Sequence, residues 1–334
     1  MGARNATEGI PYGWLTSQDR ARSFRLNQYR RLATLAAGGW PPACPVVKFS
    51  GLVQMVSMRI LPCSLTAMAW LILVAISAVP AGAEDPPRLT LLVPAYFYPA
   101  EQGLREWDRL IAAAEKVPIV AIANPASGPG ERIDPNYDNV IVRASKAGVK
   151  VIGYVTLSYG KRPVADVDAD VDRWLAFHPQ ITGIFFDEQP SDEANVDHCG
   201  MVYSHAKRKL PKGLLVSNPG VACHPKYFTG TRVDAICIFE HHQGFDDFHR
   251  PTELAELEGR RFVALPYKTA DQPAMRQRLG KLLHEKIGYA YVTDHDGANP
   301  WDRLPAYWDA EVAEVERANE PAARREPGEK QVGH

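Results

Sequence analysis

No run of Lys or Arg forms a stripe in the 334 residues, and the formal net charge is −1. A nucleic-acid partner needs a basic footprint, so composition argues against that class. Cysteine is scarce: of five, only Cys199, Cys223 and Cys237 follow residue 83. Three are too few for a disulfide-built scaffold, and no CxxC or His-Cys cluster has zinc spacing. His241-His242, with His249 and Asp246-Asp247, lacks any HxH or HExxH pattern, so no metal and no cofactor are expected. There is no Gly-x-Ser-x-Gly elbow. The Gly/Pro-rich ASGPGERIDPNYD lacks the Lys-Ser/Thr of a phosphate-binding loop and reads as a rigid turn.

What is present is ordinary globular material, 46% hydrophobic and 23% charged, enough for a large core. The charge is unevenly spread. Residues 1–83 hold eight basic and two acidic side chains; the rest hold 30 and 37, a net of −7. That body suits a neutral or cationic ligand better than a polyanion.

The strongest apolar run is MAWLILVAISAVPAGA, Met68 to Ala83. Read from Met58, it completes a signal peptide. Arg59 is the charged start, Leu61–Val79 the apolar core, and Ala81-Gly82-Ala83 the small-residue cleavage site. A membrane anchor would want a longer unbroken run. The protein is therefore expected to be secreted or periplasmic, with no stable membrane span after cleavage. Residues 1–57 then read as an over-extended or disordered leader, and the polar 319–334 as a disordered tail. Cys199 and Cys223 sit in polar, loop-like surroundings that leave a disulfide open. Cys237 lies in the apolar DAICIFE and reads as a buried hydrophobe.

From Arg88 on, eight short apolar runs alternate with helical patterns. The runs start at Leu89, Pro118, Lys150, Ile181, Gly213, Asp234, Arg261 and Gly288. Near-continuous apolar strands are those of a parallel sheet covered on both faces. Helical spacing recurs in Leu104, Trp107, Leu110 and Ile111, in Val167, Val171 and Trp174, and in Met275, Leu279 and Leu282. Eight such alternations over 88–318 predict one α/β domain, a (β/α)8 TIM barrel. An open doubly wound sheet would want a Gly-rich turn after its first strand, where this chain has Val93-Pro94-Ala95-Tyr96.

In such a barrel, chemistry sits where strands end. The strand ends give Tyr96, Asn124, Tyr154 with Tyr159, Asp187-Glu188, Asn218, Glu240-His241, Tyr267-Lys268, and Thr293-Asp294. An acid ending a buried strand is costly unless it is paired or used. Strands four and six are next-but-one neighbours, about 9 to 10 Å apart. Asp187 and Glu240 could then approach to about 5 to 7 Å, the range of a glycosidase pair. Adjacent strand residues point to opposite sides, so Glu188 is expected in a supporting role. Ion pairing with strand-end Arg or Lys is the alternative for each acid. Tyr96, Tyr98, Tyr154, Tyr159, Trp301, Tyr307 and Trp308 could offer stacking faces for sugar rings or serve as packing.

Together these segments resemble the spherulin-4 family. They are NPASGPG from Asn124, GYVTLSYGKR from Gly153, GIFFDEQP from Gly183, SNPG from Ser217, FEHH from Phe239 and YVTD from Tyr291. The resemblance runs over 88–310 and includes glycoside hydrolase family 135, whose characterised members are secreted (β/α)8 barrels. They cut α-1,4-linked N-acetylgalactosamine in an exopolysaccharide. It implies that the family's acids fall on Asp187, Glu188 and Glu240. Thr156-Leu157-Ser158 stands where many members have His-Thr-Ser. The expected activity is endo-cleavage, with retention, of α-1,4-linked N-acetylgalactosamine or galactosamine by a monomer. Asp187 is expected as nucleophile and Glu240 as acid/base. Tyr96, Asn124, Tyr154, Tyr159, Asn218, His241, Tyr291 and Asp294 are expected to bind sugar. The rival is a carbohydrate-binding or surface protein on the same barrel without catalysis.

Overall fold

A computed structural model describes residues 89–321. The leader, the signal peptide and all but the first three residues of the predicted tail lie outside the described residues.

Eight parallel strands close in sequence order into a barrel. They are β1 (Thr90–Ala95), β2 (Ile119–Ala123), β3 (Lys150–Thr156), β4 (Gly183–Asp187), β5 (Leu214–Asn218), β6 (Ala235–Phe239), β7 (Phe262–Ala264) and β8 (Tyr289–Ala290). Each falls inside one of the eight apolar runs, and closure excludes the open sheet. The helices are α1 (Glu101–Ala113), α2 (Pro135–Lys146), α3 (Val164–Phe177), α4 (Val196–Lys209), α5 (Lys226–Thr229), α6 (Gln272–His284) and α7 (Trp308–Asn319). The PKYFTG segment yields only the single turn of α5. Between β6 and β7 there are only two 3₁₀ turns, at Thr252–Leu254 and Gly259–Arg261.

Local sequence explains how the helices lie on the barrel. Asp134 caps α2, accepting from the Asn136 and Tyr137 amides, with Pro135 opening the first turn. Asp271 caps α6 in the same way through the Ala274 amide. On β3, Gly153 has no side chain, and the Trp174 ring of α3 fills that space; a Cβ there would sit 2.5 Å from it. The Trp174 indole then donates to the Tyr154 carbonyl at 2.7 Å. This contact fixes the strand that carries Tyr154. Asn319 joins the two ends of the barrel, bonding the Leu89 amide and carbonyl at 3.0 and 2.8 Å. The last residue of α7 thus belongs to the barrel, one position past the boundary expected from sequence.

Cys199 lies inside α4 with its side chain buried, not in a loop, because Val196, Val202 and Tyr203 turn that helix face to the core. Cys199, Cys223 and Cys237 are all free thiols. Burial pushes Cys199 up to about 12 and Cys223 up to about 11. Among the described residues no helix is long and apolar enough to cross a membrane.

Candidate active site

Because every strand runs the same way, all the strand-end polar residues rise at one rim. Backbone bonds continue the barrel there beyond the strands. Leu157 N donates to Asp187 O at 2.8 Å, and Tyr159 N to Glu188 O at 2.7 Å. Gln189 N reaches Asn218 O, and Glu240 N reaches Gly220 O, each at 3.0 Å. The residues just past β3, β4, β5 and β6 are therefore held in register with one another.

A cleft of about 530 Å³ opens at this rim. Asp187, Glu188, Asn218 and Glu240 form its polar part; Ile238 and Phe239 form an apolar wall; Tyr159 and His241 stand on its edge. At its centre the Asn218 amide nitrogen donates to Asp187 Oδ1 at 2.9 Å and also to Glu240 Oε2. Asp187 Oδ2 accepts from the Tyr154 hydroxyl at 2.7 Å. Asn218 is itself oriented, its Oδ1 accepting from the Gly220 amide at 2.9 Å. Gly220 adopts φ +72°, and the turn it makes possible brings its carbonyl to the Glu240 amide.

Two carboxyl groups sharing one amide cannot both ionise easily. Burial, then repulsion from Asp187, raises Glu240 to about 8; Asn218 and the nearby Trp301 only partly offset this. Burial also raises Asp187, against the opposing bonds from Tyr154, the Glu188 amide and Asn218. Two side-chain donors reach Asp187, Tyr154 and Asn218, against Asn218 alone on Glu240, which favours the shared proton on Glu240. Burial and the charge of Asp187 hold the Tyr154 hydroxyl well above its ordinary range, so it stays a donor.

Glu188 enters the same cleft by leaving the strand. β4 ends at Asp187, and Glu188 takes a left-handed backbone with φ 55°. That conformation costs a non-glycine residue about 1 kcal/mol or more. Its Oε2 accepts from the Thr156 hydroxyl at 2.6 Å, so the threonine of the altered Thr156-Leu157-Ser158 run does bear on the site. Among the described residues none of the three acids is ion-paired with Arg or Lys. Arg162 is held by Asp170 at 2.7 Å and Lys268 by Asp296 at 2.6 Å.

The other expected binding residues divide. Tyr159 is 54% exposed at the cleft edge, and His241 is exposed there with its ring stacked on His242 at 4.5 Å. Five of the eight do not line the cleft; Tyr154 is one of them, buried with its hydroxyl on Asp187. Asn124 is buried, and its side chain accepts from the Gly128 amide at 3.1 Å, shaping the loop after β2. Tyr96 packs edge-on to Tyr154 at 5.8 Å, close enough to Asp187 and Glu240 that, after burial, both charges push its hydroxyl up. Tyr291 is wholly buried against Trp301 and Trp308, because it points outward to α7 rather than along the rim. Asp294 pairs with His295 at 3.2 Å and accepts from the Ala306 amide, tying down the loop after β8. Among the candidate metal residues, His249 is taken by Glu285 at 2.8 Å.

Trp301, open in the sequence between a stacking face and packing, takes the second role. It is 5% exposed, packed edge-on to Tyr267 at 5.9 Å, and lies near enough to Glu240 to draw its carboxyl down against burial. Nothing in its local sequence signals this, since it arrives from a long loop. The Pro219–Ala222 segment, missed in the sequence, had a signal in the Pro-Gly turn of SNPG.

Comparison with known proteins places this geometry. Spherulin-4 of Physarum polycephalum is 37% identical over 176 residues, which are 51% of this chain and 51% of that protein. The chain thus spans about half the length of that curated relative. Among solved structures, Sph3 of Aspergillus clavatus, in complex with GalNAc, superposes with a TM-score of 0.60 at 22% identity. The match covers 69% of this chain and 98% of that one and shows a shared barrel fold. The profile of spherulation-specific family 4 matches residues 90–315, so the chain belongs to the spherulin-4 family.

Proposed function

We propose that this protein is an exported glycoside hydrolase that cuts within an exopolysaccharide of α-1,4-linked N-acetylgalactosamine or galactosamine, with retention of configuration. The observation that carries the reading is the pair of carboxyls on one amide nitrogen. Each nearest oxygen is one hydrogen bond from Asn218, so the two lie within about 6 Å of each other. A retaining pair stands at about 5 to 5.5 Å and an inverting pair at about 6.5 to 9.5 Å. The GalNAc bound by Sph3 supports a hexosamine as the sugar.

The roles follow from the donors. Asp187, with hydrogen bonds from Tyr154 and Asn218 to its anion, attacks the anomeric carbon. As that C–O bond forms, the glycosidic bond breaks and Glu240 gives its proton to the departing oxygen. Glu240, now a carboxylate, takes a proton from water. The water oxygen attacks the anomeric carbon and the ester to Asp187 breaks, leaving Glu240 protonated again. The amide of Asn218 holds both acids throughout, and Glu188 supports Asp187 from the neighbouring position. A barrel that only bound sugar would gain nothing from two unpaired acids sharing one amide at its floor.

Incubating the protein with defined galactosaminoglycan oligomers and weighing the products by mass spectrometry tests the reading. Shortened oligomers from the wild type, and none from Glu240→Gln or Asp187→Asn, are expected. Tight binding with no cleavage under any condition would instead favour the non-catalytic barrel.

A further inference from the structure

Exposed apolar side chains gather on one side of the barrel. Among the described residues five large hydrophobics are 47 to 55% exposed: Tyr98, Ile133, Tyr159, Met201 and Val221. Four of them stand on loops of the active rim, after β1, β2, β3 and β5; only Met201, on α4, lies elsewhere. Tyr159 and Val221 line the cleft. Ile133 and Tyr98 carry the row on past β2 and β1, and β1 is three strand spacings, about 14 Å, from β4.

Both tyrosines of this row are held in place. Ser158 and Tyr159 take left-handed φ values of 45° and 54°, which residues other than glycine rarely adopt. The Tyr159 amide donates to the Glu188 carbonyl at 2.7 Å. The Tyr98 hydroxyl accepts from the Asn136 side-chain amide at 2.9 Å and donates to Asp134 Oδ2 at 3.1 Å. Its ring meets Tyr137 edge-on at 5.9 Å. At its other end the Tyr98 carbonyl takes the Ala100 amide at 2.7 Å and lies where a Cβ on Gly103 would be 1.9 Å away. A ring that is half exposed yet pinned at both ends loses little freedom when a ligand stacks on it.

Resting on the hydrolase reading, we propose that Tyr98 is a remote stacking platform for the saccharide chain, which runs from the cleft over the β3 and β2 loops to the end of β1. The occupant is the substrate chain itself, because the row is continuous with the cleft and its far end is an aromatic ring, whose face suits the C–H side of a pyranose. No Lys or Arg is among the residues lining the cleft, and Asp134 stands beside Tyr98, so a neutral or cationic chain fits this path better than a polyanion. Binding so far from the cut favours long chains over oligomers too short to reach β1.

The test measures kcat/KM on a size ladder of galactosamine oligomers of one acetylation state. For the wild type it should rise with length until the chain reaches Tyr98 and then level off. Tyr98→Ala should lower the ratio of long to short substrates about tenfold. Tyr98→Phe keeps the ring and should retain most of the ratio; Met201→Ala, equally exposed on α4, should keep all of it. A wild-type rate indifferent to length overturns the inference, as does a Tyr98→Ala that keeps the wild-type ratio by slowing short and long oligomers alike or neither. Should Tyr98→Ala not fold, Tyr98→Leu, which fills the space without an aromatic face, takes its place with the same expectation. Sedimentation covers the rival occupant: a wild type that dimerises and a Tyr98→Ala that does not would give the ring to a second copy and overturn the proposal. If no oligomer is cut, the hydrolase reading fails by itself. Calorimetry on the same ladder then decides this one: affinity that grows with length in the wild type but not in Tyr98→Ala sustains it, and equal growth in both ends it.

Discussion

The two halves of the barrel are built differently. β1 to β4 have six, five, seven and five residues, and each is followed by a full helix of 12 to 14 residues. In the second half β7 and β8 shrink to three and two residues, α5 is one turn, and β6–β7 has no α-helix. The pairing of β6 with β7 also slips in register between Cys237 and Phe239. Asp187 comes from the regular half, supported by Tyr154 and, beneath it, by the seating of Trp174 on Gly153. Glu240 comes from the irregular half, supported by a Pro-Gly turn and by a tryptophan from the last loop. The proposed nucleophile is held by strand register and its proposed partner acid by loops, and Asn218, on the strand between, ties the two together.

The largest effect should come from breaking that tie at either end. Asp187→Asn and Glu240→Gln should each lower turnover about a thousandfold with the fold retained by circular dichroism. Glu188→Gln should cost less than Glu240→Gln, and equal losses would show that the division of roles is wrong.

Packing gives the next contrast. A Cβ on Gly183 in β4 would stand 2.0 Å from the Leu214 carbonyl oxygen, which the sheet cannot move. Gly183→Ala should destabilise by about 3 kcal/mol. Gly244, past β6, has φ +75° and nothing within 4 Å of a new Cβ. Gly244→Ala should cost only about 1 kcal/mol, from backbone conformation alone. Urea midpoints of the two variants measure the difference.

Protonation separates the halves more gently. Glu240 and Glu311 are both raised to about 8, each chiefly by burial; Glu311 is wholly buried, with Oε1 on the Val292 amide at 2.8 Å. Their folded values lie above the unfolded one of 4.5. Their contribution to stability is therefore complete below about pH 4.5 and is lost as pH rises through about 8. Thermal melts should show this decline, and Glu311→Gln should flatten it. Activity should fall above pH 8 as Glu240 loses its proton. The smallest effect on activity is expected in Tyr154→Phe, which removes one of the two side-chain donors to Asp187 and should cost about tenfold in kcat/KM.

The barrel was legible because each strand is an apolar run closed by a polar residue, and parallel strands buried on both faces leave that mark. The three acids were legible because an ionisable group at the end of such a run needs a use. The direction of the other polar side chains was not. Asn124, Tyr291 and Asp294 end strands as Asn218 does, but their groups face a loop amide, a helix or a neighbouring histidine. Local sequence does not encode that choice. Adjacent Asp187 and Glu188 were expected on opposite faces, and the left-handed turn at Glu188 defeats strand alternation. For Trp301 the sequence left stacking and packing open, since its buried place beside Tyr267 is made by the closure of the whole barrel.

The most direct measurement of the central claim is proton NMR of the first sugar released from an α-linked galactosaminoglycan oligomer. If Asp187 attacks and Glu240 donates the proton, the new reducing end appears first as the α anomer and mutarotates later. Initial appearance of the β anomer would contradict the account, and Asp187 would then be the base that activates water.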